Sequence, residues 1–386
     1  MARLGDICVI FAGQGAPQGD NNYCDRSYGV PFIKAGDLSD LLSGKPENEL
    51  QCVNDEVAKK HKLKLYPSGS ILFAKSGMSC MKGYVYRTQY PCYVVSHLAI
   101  VVPEKVDGEY LKFYFQYHKP NSLIKDSAYP SISLQDISNI ELKLPSKEEQ
   151  EAIALSLNKI SKLISLRKQQ LAKLDELVKA RFIELFGDPE SNPLHWAMLP
   201  LEKCLTVLGG YAFKSEEFKT SGVPVLRIGN INTGVFTPTN MVYWAEDDTL
   251  ERYQVLPGDL VISLTGTVGK DDYGNVCILG NAYPLYYLNQ RNAKLILGES
   301  LNKHYLSELL KFSRIKKKLT GISRGVRQAN ISNRDILNLV VPIPPIELQT
   351  QFAAFVEQID KSKFEIQKSL EKLETLKKAL MQQYFG

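Results

Sequence analysis

The chain closes each of its halves with the same segment, and the two copies align without a gap. Residues 132–187 line up with residues 331–386 at one constant offset. Ile132 matches Ile331, Asp136 matches Asp335, Pro145 matches Pro344, Gln150 matches Gln349, and Phe186-Gly187 matches Phe385-Gly386. A repeat of this size constrains architecture before any local reading does, because each copy folds as a like unit. The segments upstream are related more loosely. Gly29-Val30-Pro31 answers Gly222-Val223-Pro224 and Tyr90-Pro91 answers Tyr283-Pro284, but the register slips by a few residues between Pro67 and Gly77 and their counterparts Pro257 and Gly266. Insertions are thus tolerated in one kind of segment and absent from the other. Variable loops on a kept scaffold suit a changing target, and a helix of fixed length suits a spacer or an assembly surface.

With 386 residues the chain is too long for one ordinary core, and the repeat divides it into four segments. Residues 1–145 and 188–344 mix short β-type runs with turn residues, such as GSILFAKSG at 69–77 and GDLVISLTG at 258–266. Residues 146–187 and 345–386 each read as one long helix. The first opens with Ser146 and Glu149 at capping-box spacing and stops at Phe186-Gly187 with Pro189 beyond. At roughly 1.5 Å per residue, some 40 residues span about 60 Å, longer than a domain of this size is wide.

Along the first helix a 4-3 apolar spacing runs through Ile153, Leu157, Ile160, Ile164, Leu171, Leu174 and Val178, with Arg167 interrupting. The second carries Phe352, Val356, Ile359, Ile366, Leu370 and Leu373, with Lys363 and Lys377 on the same line. This is coiled-coil periodicity, and it predicts that the helices pair. The alternative is that each packs only on its own β-rich segment. Apolar residues off the seam (Leu163, Leu166, Leu177, Phe364 and Leu376) widen the stripe enough to bind further helices.

The net charge of +5 is too mild to select nucleic acid by itself. Its densest concentration lies in one stretch, Lys311 to Gln328, which holds Arg314, Lys316, Lys317, Lys318, Arg324 and Arg327 and no acid. Cations beside Gly, Ser and Gln fit phosphate contacts with base-edge hydrogen bonds, and a solvated helix face is the plainer reading. The matching stretch of the first half is weaker, with Lys112, Lys119 and Lys125 ahead of Tyr129-Pro130-Ser131. Lys34 and Arg227 occupy matching positions, Lys75 faces Leu264 in the alignment, and Arg291 follows Asn289-Gln290. The candidate DNA-contacting set is therefore Lys34, Lys75, Lys125, Arg227, Arg291, Lys316, Lys317, Arg324, Arg327 and Gln328.

Catalytic chemistry finds no carrier. GQGAPQG at 13–19 is broken by Pro17, and TGTVGK at 265–270 lacks the spacing of a phosphate loop. The seven cysteines are scattered with no CxxC, so reduced thiols are expected rather than a disulfide frame or a zinc site. No nucleophile, base or metal constellation stands out, and no cofactor is implied for the chain itself. No apolar run is long enough to span a bilayer, so a soluble, cytoplasmic protein without a membrane partner is expected.

Two variable globular segments, each followed by a P-x-x-E-x-Q helix entry, resemble the specificity (S) subunit of type I restriction-modification systems. The carriers are Pro145-Ser146-Lys147-Glu148-Glu149-Gln150, Pro344-Pro345-Ile346-Glu347-Leu348-Gln349, Gly222-Val223-Pro224-Val225-Leu226-Arg227 and the Gly325-Val326-Arg327-Gln328 turn. The first half departs at Ser127–Ser131, where that turn is missing. The resemblance implies an α+β fold of two pseudo-repeated α/β target recognition domains, each followed by a long helix, the helices pairing as an antiparallel coiled coil. Each domain would read half of a bipartite, asymmetric site in double-stranded DNA, and helix length would set the unread spacer. The helices would dock two methyltransferase (M) subunits, restriction (R) subunits would join, and the chain itself would catalyse nothing. The alternative is a coiled-coil scaffold whose globular ends bind other proteins.

Overall fold

The computed structural model describes residues 1–321 and 328–386. These fall into two compact units, Met1–Lys168 with Lys368–Gly386, and Gln169–Gln367. This grouping cuts across the helical segments 146–187 and 345–386 because the two ends of each helix pack into different cores.

Each unit is built on a four-stranded antiparallel sheet. In the first, Cys8–Ala12, Leu98–Pro103, Ile71–Ala74 and Val85–Arg87 lie side by side, with Leu72 opposite Ile100. Ile71–Ala74 is buried throughout, which explains why it reads as a continuous apolar run rather than as an alternation. The second unit repeats the order with Leu205–Gly209, Asn292–Leu297, Leu260–Ser263 and Val276–Ile278. Beside each large sheet stands a smaller one centred on a parallel pair. In the first unit Val30–Ile33 runs parallel to Tyr93–Val94, and in the second Val223–Leu226 runs parallel to Tyr286–Leu288.

The long helices run Lys147–Phe186 and Ile346–Phe385, 40 residues each. At the first entry Ser146 and Glu149 cap each other, at 3.0 and 3.3 Å. Gly187 ends that helix at φ +74°, and a Cβ there would meet Pro193 at 2.6 Å, so the stop requires glycine.

A glutamine fastens each helix to its globular half. Gln150 is buried, accepts from the Asp107 amide at 2.8 Å and donates to the Pro145 carbonyl at 2.9 Å. Gln349, fully buried, accepts from the Asn302 amide at 2.8 Å and donates to the carbonyls of Ser300 and Pro344 at 3.0 and 2.8 Å. The far helix end completes each core by aromatic packing. Phe385 lies 5.2 Å from Tyr110 in the first unit, and Phe186 lies 4.8 Å from Tyr305 in the second. Both tyrosines also donate to backbone carbonyls, of Lys143 and Pro342. The start of one helix and the end of the other thus share each core: Ala154 and Leu157 with Met381 and Phe385, and Phe352 and Val356 with Phe182 and Phe186.

Candidate nucleic-acid interface

The carboxyl end of a parallel strand pair is where both chains leave the sheet together, and side chains just beyond it converge. In the second unit those side chains are Arg227, following Val223–Leu226, and Asn289, Gln290 and Arg291, following Tyr286–Leu288. They line a cleft of about 430 Å³ together with Phe213, Phe218, Asn230 and Asn240. Asn230 is buried and organises the rim. Its Oδ1 accepts from the Arg227 amide at 3.0 Å, and its Nδ2 donates to the carbonyls of Thr237 and Thr239. Arg227 then donates from Nη2 to the Asn240 carbonyl at 2.7 Å and stands 5.9 Å from the Phe218 ring. Its Nε is buried without a partner, leaving a donor unused on a guanidinium that has five. Arg291 is exposed. Gly210 abuts this turn, and a Cβ on it would come within 2.2 Å of the Asn289 carbonyl.

The first unit builds the same place from other residues. Lys34 follows Val30–Ile33, its amide donating to Asp37 Oδ2 at 2.7 Å. Its ammonium donates to Gln51 at 2.6 Å and lies 4.4 Å from the Tyr23 ring. Burial lifts the Asp37 carboxyl above its ordinary value, against the pull of Lys34. Gly13 abuts the Val95 carbonyl as Gly210 abuts Asn289. His97 stands where Arg291 does, since Lys75 donates its amide to the His97 carbonyl as Leu264 does to Arg291. The His97 ring meets Ser76 Oγ at 2.9 Å. Both units therefore end the parallel pair in a cation beside an aromatic ring, with a second basic side chain across from it.

Of the remaining candidates, Lys75 is half-buried next to this place in the first unit, its amide donating to the His97 carbonyl, and Lys125 forms an ion pair with Asp136 at 2.9 Å. Lys316 is buried, its ammonium bound to Asp271 and to Asn275 Oδ1 at 2.6 Å, which is a different position from the surface one a phosphate contact needs. Lys317 is exposed and lines a separate cleft of about 640 Å³ with Lys270 and Lys311. The charge of that stretch is also reduced by acids outside it, for Arg314 pairs with Glu190, distant in sequence, and Lys311 with Glu308 one helical turn earlier. Arg324 and Arg327 lie outside the described residues; the backbone of Gln328 pairs with Thr267. Sequence reasoning missed His97, Gln51, Asn230 and Asn240. Only the turn chemistry of Gly229-Asn230 hinted at any of them.

No group of three or more His, Cys, Asp or Glu among the described residues is arranged to hold a metal ion. All seven cysteines are free, and burial pushes the thiols of Cys8, Cys92 and Cys277 up to about 12, far from nucleophilic. No helix among the described residues is long and apolar enough to cross a membrane.

Comparison with known proteins agrees with this division into halves. A family model described as the type I restriction modification DNA specificity domain matches residues 1–176 and again 193–378. The chain is 26% identical over 333 residues to the type I restriction enzyme MjaVIII specificity subunit of Methanocaldococcus jannaschii, covering 81% of this chain and 75% of that one. It is 22% identical over 379 residues to the MjaIX specificity subunit of the same organism, covering 91% and 85%. Among solved structures, the type I restriction-modification S subunit from M. genitalium superposes with a TM-score of 0.62 at 14% identity, covering all of this chain and 95% of that one.

Proposed function

The chain belongs to the type I restriction modification DNA specificity family, whose model matches both of its halves, and from that premise we propose that the ends of its two parallel strand pairs engage the two parts of a bipartite DNA site. The chain is the non-catalytic specificity subunit of such a system. The observation that carries the finer reading is the repeated end of the parallel strand pair, with Lys34 and His97 in one half and Arg227 and Arg291 in the other. Arginine forks suit paired acceptors, whether phosphate oxygens or the guanine edge in the major groove. The two sets differ in chemistry on one backbone plan, as two readers of unlike half-sites should.

Between them the long helices act as an antiparallel coil that sets the unread spacer. Every seam position, from Ile153, Leu157, Ile160 and Ile164 through Leu171, Leu174 and Val178, is buried or half-buried. So are Phe352, Val356, Ile359, Ile366, Leu370 and Leu373 on the terminal helix. Lys168 meets Glu374 at 3.0 Å in one unit, and Lys363 meets Asp175 at 2.6 Å in the other. The off-seam residues Leu155, Leu163, Leu166, Leu177, Phe364 and Leu376 remain exposed. They form the surface for methyltransferase subunits, which restriction subunits then join.

The test replaces Arg227 and Arg291 together by alanine in the full chain, co-expressed with its methyltransferase partner. DNA affinity should fall and the salt dependence should flatten by about one to two in log-log slope, since each phosphate contact contributes about 0.9. Assembly with the partner should persist. Unchanged affinity and slope would remove the cleft from the interface. A wild-type complex whose DNA retention does not respond to salt would favour a scaffold.

A further inference from the structure

The constant offset of the repeat sets Tyr129 where the second half has Gln328, and Lys125 where it has Arg324. The anchoring backbone is the same in both halves. Ser76 bridges Ser131 as Thr265 pairs with Asn330, and the amides of Ile132 and Ile331 donate to Lys75 and Leu264, each at 2.8 Å. What stands on this edge in the first half is different in kind. Pro130 is buried, and its carbonyl accepts from the Gly77 amide at 3.0 Å. Within the loop, Asp126 accepts from the Ala128 amide at 2.8 Å. One residue beyond the Gly77–Pro130 contact on either side come Met78 and Tyr129, 73% and 83% exposed. Two large, exposed side chains thus adjoin the backbone contact that joins their two segments, with no core to fill. In sequence, Lys75 and Lys82 lie within four residues of Met78, and Lys125 lies four before Tyr129. Of the two nearby acids, Asp136 is engaged by Lys125 and Ser133, and Asp126 by the loop itself.

We propose that Tyr129 and Met78 form an apolar wedge that enters between stacked bases of duplex DNA. The first half then engages its part of the site by unstacking a base step. The inference rests on the DNA reading above. Apolar side chains inserted at a step kink the duplex, and a phenol ring stacks on any base. Selectivity follows from how readily the step opens, so the wedge favours flexible pyrimidine–purine steps in the half-site of the first unit.

Duplexes selected by the wild-type full chain from a random-sequence pool serve as the probe. Tyr129→Ala should weaken binding by roughly tenfold, the size of one lost base–aromatic stack, while Tyr129→Phe stays within about twofold. The salt slope should be the same in all three chains, because no cation is removed. With Tyr129→Trp, indole emission should be quenched when duplex is added. Equal affinity of Tyr129→Ala and wild type would overturn the wedge, as would an unquenched indole in a chain that anisotropy shows to be bound. Tyr129 is exposed, so an unchanged melting temperature verifies that each variant is folded. A wild-type chain that enriches no duplex at all would overturn the DNA reading itself, a separate result from loss of the wedge alone.

Discussion

Gln349 shows how much one side chain can decide. It is fully buried and satisfies three backbone groups at the point where the terminal helix leaves its globular half. Replacing it by leucine keeps the volume and strands the Asn302 amide and two carbonyls. At about 1–3 kcal/mol for each buried group left unpaired, and with some relaxation, Gln349→Leu should destabilise the second unit by about 2–4 kcal/mol. Denaturant unfolding measures this, and a loss below about 0.5 kcal/mol would show that water takes over the bonds. The sequence marked this residue as part of a repeated entry motif but said nothing of its partners, two of which lie 47 and 49 positions away. The same distance effect misled the reading of Lys316. Its local surroundings hold only cations, while Asp271 and Asn275 arrive from another loop. As candidate cations Arg227 and Arg291 were visible, because the repeat singled out the one and Asn289-Gln290 the other. Their convergence was not, since parallel pairing joins segments whose contact no local pattern announces.

At the scale of the element, periodicity and length were enough to read two long helices, and the structure has two of 40 residues each. Caps located the ends to within a residue, because Ser146, Glu149 and Gly187 act through local hydrogen bonds and backbone conformation. Polar seam residues were legible as interruptions but not as strains. Lys377 is one. Burial, then the nearness of Lys112 and Lys168, holds its ammonium below the ordinary lysine value. The fold therefore disfavours the charged form. Lys377→Leu should raise stability by about 1 kcal/mol, since the charge is removed and apolar surface is buried. The sign of the pH effect follows. The folded state binds fewer protons than the unfolded one, so the wild type gains stability as pH rises toward the ordinary value of 10.5, and the variant's advantage narrows. Thermal melts at pH 7 and pH 10 would reveal it, and a variant that melts lower at pH 7 would contradict the argument.

At the scale of the whole molecule, the two helices are equal at 40 residues. An insertion of four residues near Leu171 lengthens one rod by about 6 Å and turns what lies beyond it by about 40°. If the coil sets the spacer, the DNA-methylation motif written by the assembled system should change in the number of unread base pairs, with both half-sites kept. Sequencing of methylated genomic DNA reads this directly, and an identical motif would show that the helices do not set it. The glutamine joints bear on the same question from another side. Gln150 and Gln349 grip main-chain atoms only, those of Asp107 and Pro145 in one half and of Ser300, Asn302 and Pro344 in the other. These glutamine bonds are indifferent to the side chains of the residues they hold, while each helix end still needs an aromatic partner such as Tyr110 or Tyr305. A globular half that brings its chain ends to those points and supplies that partner should be exchangeable as a whole, with no accompanying change in the helices.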